Sequence, residues 1–119
     1  MTKDPKIFLK HVLESIKKIE DNTEKISEEE FLRDTKTQDA LSRRIEIIGE
    51  AVKNLPSDFK EKHPEIEWRE ISAMRDKLIH HYFGIDMSIV WETSKKDLPR
   101  LKKQISKILE SLEKSADFV

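Results

Sequence analysis

The side chains of this 119-residue chain that could do chemistry crowd into one stretch, Met74 to Asp86, which reads MRDKLIHHYFGID. It holds Arg75, Asp76, the adjacent His80 and His81, the single tyrosine Tyr82, and one of the two glycines. Histidine near neutral pH can take a proton from a hydroxyl and return one to a leaving group, while arginine can fork onto a phosphate and hold developing charge. RNA brings its own nucleophile in the 2′-hydroxyl, so arginine plus histidine suffices for strand cleavage without a metal. The same pair also suits a site that binds a nucleotide and leaves it uncut.

Plainer roles stand beside each of these. An arginine five positions before a histidine is, by itself, common surface chemistry. Asp76 can cap, pair with a lysine or orient a histidine. Tyr82 falls on the apolar side of the helix and reads from spacing as a core tyrosine with a hydrogen-bonded hydroxyl. His80 and His81 face different ways, unlike the i, i+4 histidines of a zinc helix, so no metal site is expected, and no cofactor motif is present. His11 and His63 lie outside the cluster and read as surface residues, and the pairs Lys95-Lys96 and Lys102-Lys103 as solvated faces.

At about 100° per residue, Ile71, Met74, Leu78 and Tyr82 gather on one side of a helix with Arg75 at its edge, whereas His80 lies roughly 140° from Arg75. One straight helix cannot easily aim both at a single small group. Either the helix loosens before Gly84, or two copies pack this segment so that one cleft collects residues from both. Ala73, Ile79 and Phe83 are apolar and off the main stripe, and an isologous homodimer would bury them.

The remaining sequence supplies the elements that must position this stretch. Asp4-Pro5 opens a helix carrying a core-facing stripe of Ile7, Leu9, Val12, Leu13, Ile16 and Ile19, because aspartate caps well and proline fits the first helical position. Asp21-Asn22-Thr23 interrupts that stripe, and Ser27 followed by Glu30 is a capping box opening a short helix. A long helix is expected over Thr35 to Leu55, with Gly49 inside it. A mid-helix glycine costs about 1 kcal/mol relative to alanine, so close helix approach is the better account of its presence. Phe59 to Lys62 forms at most one more turn before His63-Pro64 forces an extended link. The fourth helix starts near Glu65 or Glu67, runs through the chemical stretch and ends at Gly84 as a C′ residue. The last is capped by Asp86 and broken or kinked at Pro99. No strand pattern is present, so the expected fold is all-α, an antiparallel bundle of four main helices plus a short extra one, forming a single domain over residues 1–119.

Charged residues make up 39% of the chain and nearly cancel to a net charge of −1. That balance argues against the broad basic footprint of a general nucleic-acid binder and requires any polyanion to be met locally. There is no cysteine, hence no disulfide framework and no thiol nucleophile, and no run approaches a membrane span, so a cytoplasmic location is the expectation.

At Arg75-Asp76-Lys77-Leu78-Ile79-His80-His81-Tyr82 the sequence resembles the HepT-like toxins of the HEPN superfamily, whose motif is R-x4-H-x-Y. The similarity extends in order through FLKHVLESIKKIE, TQDALSRRIEIIGEAVKNL, HPEIEWREISAMRDKLIHHYFGID and VWETSKKDLPRLK, nearly the whole chain. It implies a helical-bundle homodimer whose motif segments line a shared cleft and act as a metal-independent endoribonuclease toxin on RNA. Arg75 would then engage the scissile phosphate and His80 would transfer protons, with Asp76 and His81 in support. It also implies a neighbouring antitoxin, an MntA-like nucleotidyltransferase, that attaches AMP to Tyr82. The alternative is a non-catalytic nucleotide-binding or scaffold partner of such a nucleotidyltransferase.

Overall fold

The protein is described here by a computed structural model covering residues 4–80 and 86–117, with side chains for 4–78 and 86–114. Its elements are α1 (Pro5–Thr23), α2 (Glu28–Leu32), α3 (Thr35–Asn54), α4 (Ser57–Glu61), α5 (Trp68–His80), α6 (Met87–Glu92), a π-helical turn (Thr93–Asp97) and α7 (Leu98–Asp117). The described residues contain no strand, and the architecture is the all-α bundle expected, with α3 packed between α1 and α5 and α7 laid against α1. Among the described residues no helix is long and apolar enough to cross a membrane.

Local chemistry fixes most helix ends. The Asp4 side chain accepts from the Lys6 N–H with Pro5 in the first turn, and Ser27 accepts from the Glu30 N–H while its hydroxyl lies 3.3 Å from the Glu30 carboxylate. Asp34 caps α3 and Asp86 caps α6. The interruption expected at Asp21-Asn22-Thr23 comes three residues later, at Glu24. Asn22 Nδ2 donates to the Lys18 carbonyl and Thr23 Oγ1 to that of Ile19, satisfying groups that would otherwise fray α1. The start of α5 also moves, to Trp68, whose indole N–H reaches the carbonyls of Lys60 and His63 and straps the preceding loop to the helix. The proposed stop at Gly84 lies outside the described residues.

Pro99 breaks the last helix as expected, and the distortion precedes it. Proline cannot donate to the carbonyl one turn back and its ring crowds that group, so the chain widens into the π turn at Thr93–Asp97. Lys95 is exposed, as expected of a solvated face, yet the turn also gives it specific contacts. Lys95 Nζ donates to the Thr23 carbonyl at 3.1 Å and sits 4.9 Å above the Trp91 ring, joining the end of α1 to the last helical arm.

Periodic apolar positions meet in one core, except that Ile7, expected on the buried stripe of α1, is exposed near the start of the helix. Leu9, Val12 and Ile16 of α1, Leu41, Ile48 and Val52 of α3, and Ile105 of α7 are fully or almost fully buried, with Phe31 of α2 inserted among them. Each such side chain contributes about 1.5–3 kcal/mol relative to exposure. Gly49 is where α3 and α5 come closest. Its backbone is ordinary helix, so its value is space: a Cβ there would collide with Arg75 Cβ and come within 2.8 Å of Arg75 Cγ.

Two consequences are measurable. Gly49→Ala should lower stability by about 1–3 kcal/mol, because the colliding atoms sit at the root of Arg75 and cannot swing aside. The gain of roughly 1 kcal/mol in helix propensity is too small to offset that. A urea midpoint equal to or above that of the wild type would show that α3 and α5 are not in contact there. Asp34 provides the second. Hydrogen bonds from the Thr37 hydroxyl and backbone N–H hold its carboxyl below the ordinary value of 3.8. With the folded value below the unfolded one, its contribution is complete above the unfolded value and fades as pH falls through the folded one. The stability difference between wild type and Asp34→Asn should therefore be largest near neutral pH and shrink toward zero in acid.

Candidate active site

Arg75 leaves α5 toward α3, and the tight seat at Gly49 fixes where its side chain begins. The guanidinium is then held by two carboxylates: Nη2 lies 2.9 Å from Glu50 Oε2 and Nη1 donates to Asp76 Oδ1 at 3.2 Å. Glu50 follows Gly49 in the sequence, so adjacent residues of α3 admit the arginine and orient its head. The Arg75 side chain is 21% exposed and Glu50 54% exposed, so water reaches the pair mainly at Glu50 and screens it there, and the pair is worth little by itself. An arginine has five donors, and those not aimed at Glu50 or Asp76 remain for an anion.

The guanidinium opens onto a cleft of about 520 Å³. Its walls are Phe8 and His11 of α1 and one face of α3, where Arg43, Glu46, Ile47, Glu50, Ala51 and Asn54 succeed one another at helical spacing. His11 had read as a surface residue outside the cluster. It is exposed, yet α1 brings it into the same cleft as Arg75, because α1 and α5 both pack along α3. Glu50, His11 and Arg43 are the cleft residues that motif reading passed over. Their only sequence signal was the placement of Arg43 and Glu50 two helical turns apart on one face.

The second concavity, about 140 Å³, lies between α3, α5, the π turn and α7. Glu67, Glu70 and Asp97 rim it, and the hydrogen bond and charge of Glu67 push the Glu70 carboxyl above its ordinary value. Its cation, Arg100, is already paired with Glu67 at 3.3 Å. So acidic a rim disfavours phosphate, whereas the Arg75 cleft, with Arg43 and Arg75 on its walls, is a place where an anionic substrate can be met. Among the described residues no cluster of three or more potential metal ligands occurs.

Of the other motif residues, Asp76 is exposed and partners Arg75 directly. His80 is the last residue of α5, which is regular helix from Trp68 to that point, so positions 75 and 80 lie roughly 140° apart around the axis. The helix does not loosen between them. The His80 side chain, His81, Tyr82 and Phe83 lie outside the described residues.

Comparison with known proteins gives the family. A ribonuclease HepT-like family profile matches residues 12–108. A Thermococcus cleftensis protein named "Probable ribonuclease HepT" is 52% identical over 108 residues, which cover 91% of this chain and 98% of that one. A Methanocaldococcus jannaschii protein named "Gamma-glutamylcyclotransferase and putative RNase" is 53% identical over 115 residues, 97% of this chain. The alignment covers only 52% of that longer protein. No solved structure matches. By family profile and by identity over almost its full length, the chain belongs to the ribonuclease HepT-like family.

Proposed function

We propose that the protein is an endoribonuclease toxin that cleaves RNA without a metal, in a cleft shared by two copies of the chain. Family membership supports the substrate class, and the observation that carries the chemistry is Arg75, held by Glu50 and Asp76 at the end of an open cleft. Arg75 binds the scissile phosphate. Because its ion pair with Glu50 is solvated and weak, phosphate displaces or shares that partner at small cost. The 2′-hydroxyl oxygen attacks phosphorus, the bond to O5′ breaks, and the products are a 2′,3′-cyclic phosphate and a 5′-hydroxyl. His80 takes the proton of the 2′-hydroxyl, and a second histidine, His80 of the other copy or His81, gives one to O5′.

The need for a second copy rests on the regularity of α5. Ala73, Asp76 and Lys77 share the side of the helix on which position 80 falls, and all three are exposed in one protomer. Pairing two such faces brings position 80 of each chain toward a common groove. Tyr82, two residues beyond His80, is the acceptor for AMP from an MntA-like nucleotidyltransferase antitoxin. A nucleotide attached there places an anionic group near Arg75 and competes with RNA. The action is cytoplasmic.

The competing reading is a non-catalytic nucleotide-binding partner of that transferase, and the two carboxylates on Arg75 favour it by damping the charge available to a transition state. Cleavage assays decide. Arg75→Ala and His80→Ala should each lower the rate of RNA cleavage at least about 100-fold, with circular dichroism and dimer mass unchanged, and chelators should have no effect. Unmodified wild-type protein that binds nucleotide and never cuts RNA would establish the binding role instead. Mass spectrometry after incubation with the transferase and ATP should find one AMP on Tyr82 and none on the Tyr82→Phe protein.

A further inference from the structure

We infer that the α1–α3 side of the cleft is a subsite for one nucleotide of single-stranded RNA, its base stacked on Phe8 and its outer phosphate held by Arg43. This rests on the ribonuclease reading and extends it from the reacting phosphate to the neighbouring nucleotide. Arg43 and Glu50 stand seven residues apart on one face of α3, about 10 Å along the axis. Arg75 is joined to the Glu50 end. Two guanidinium groups thus mark the two ends of a strip on the scale of a single nucleotide step. The middle of the strip is apolar, formed by Ile47 and Ala51, and Phe8 faces it from α1.

Each component suits a nucleotide better than a peptide or a second copy. Phe8 is half-buried against the core, so its ring is already ordered and loses little entropy on stacking. Aromatic stacking accepts any base, and cations beside the ring track the backbone. Arg43 is available because its one ion pair among the described residues, with Glu46, is stretched to 4.0 Å and its side chain is 72% exposed. With the formal charge of the whole chain near zero, these two arginines are the local footprint that a polyanion requires.

The test measures binding of a fluorescein-labelled single-stranded RNA oligonucleotide to full-length His80→Ala protein across a salt series. In that background, Arg43→Gln should reduce the slope of log K against log salt by about 0.7, the loss of one phosphate contact. Phe8→Leu, which keeps an apolar side chain in the core, should weaken binding about fivefold or more with the slope unchanged. Arg33→Gln, at the C-cap of α2 and paired with Glu29, should change neither quantity. If Arg75→Ala weakens binding while Arg43→Gln and Phe8→Leu bind like their parent, the subsite is wrong and the ribonuclease reading stands. Failure of the parent to bind RNA at all would overturn both. A change in dimer mass with Phe8→Leu or Arg43→Gln would assign the strip to a protein interface and overturn the subsite.

Discussion

The close approach of α3 and α5 at Gly49 is the constraint on which the rest of the site depends. Removing one Cβ lets the root of Arg75 settle against the backbone of α3, and the next residue, Glu50, reaches its guanidinium. A larger residue at position 49 would push the helices apart and move the arginine with them. The glycine contributes space rather than an unusual backbone angle, which explains how it sits inside a long helix despite its poor propensity.

Charge is managed at short range throughout. The chain carries 23 basic and 24 acidic side chains, so its distant field is weak and recognition depends on where individual groups are placed. The two concavities illustrate this. One collects Arg43, His11 and Arg75, with Glu46 and Glu50 as exposed or partly exposed partners; the other collects three carboxylates around an arginine already engaged. The first also offers an anion the donors of Arg43, whose pair with Glu46 is stretched to 4.0 Å. The carboxylates on Arg75 have a further effect, since they order a long flexible side chain before substrate arrives and so reduce the entropy lost on binding.

Regularity elsewhere limits what one chain can do. Because α5 holds helical geometry through His80, positions 75 and 80 lie roughly 140° apart around its axis, which is why the proposed chemistry draws on two surfaces. The π turn before Pro99 shows the opposite behaviour: there a local fault redirects the helical arm, and Lys95 fastens it to the end of α1.

The amino-acid sequence by itself determined the helices, the caps at Asp4, Ser27 and Asp86, the break associated with Pro99 and the candidacy of Arg75. These depend on interactions within a turn or two, or on an apolar period readable along the chain. It marked Gly49 as a place of close approach without naming the neighbour. Tertiary structure decided that Arg75 is that neighbour, that Glu50 rather than Asp76 alone orients it, and that His11, Phe8 and Arg43 share its cleft. None of these pairings is local. They arise from the distance and rotation between packed helices, which the whole core sets at once and no single segment encodes.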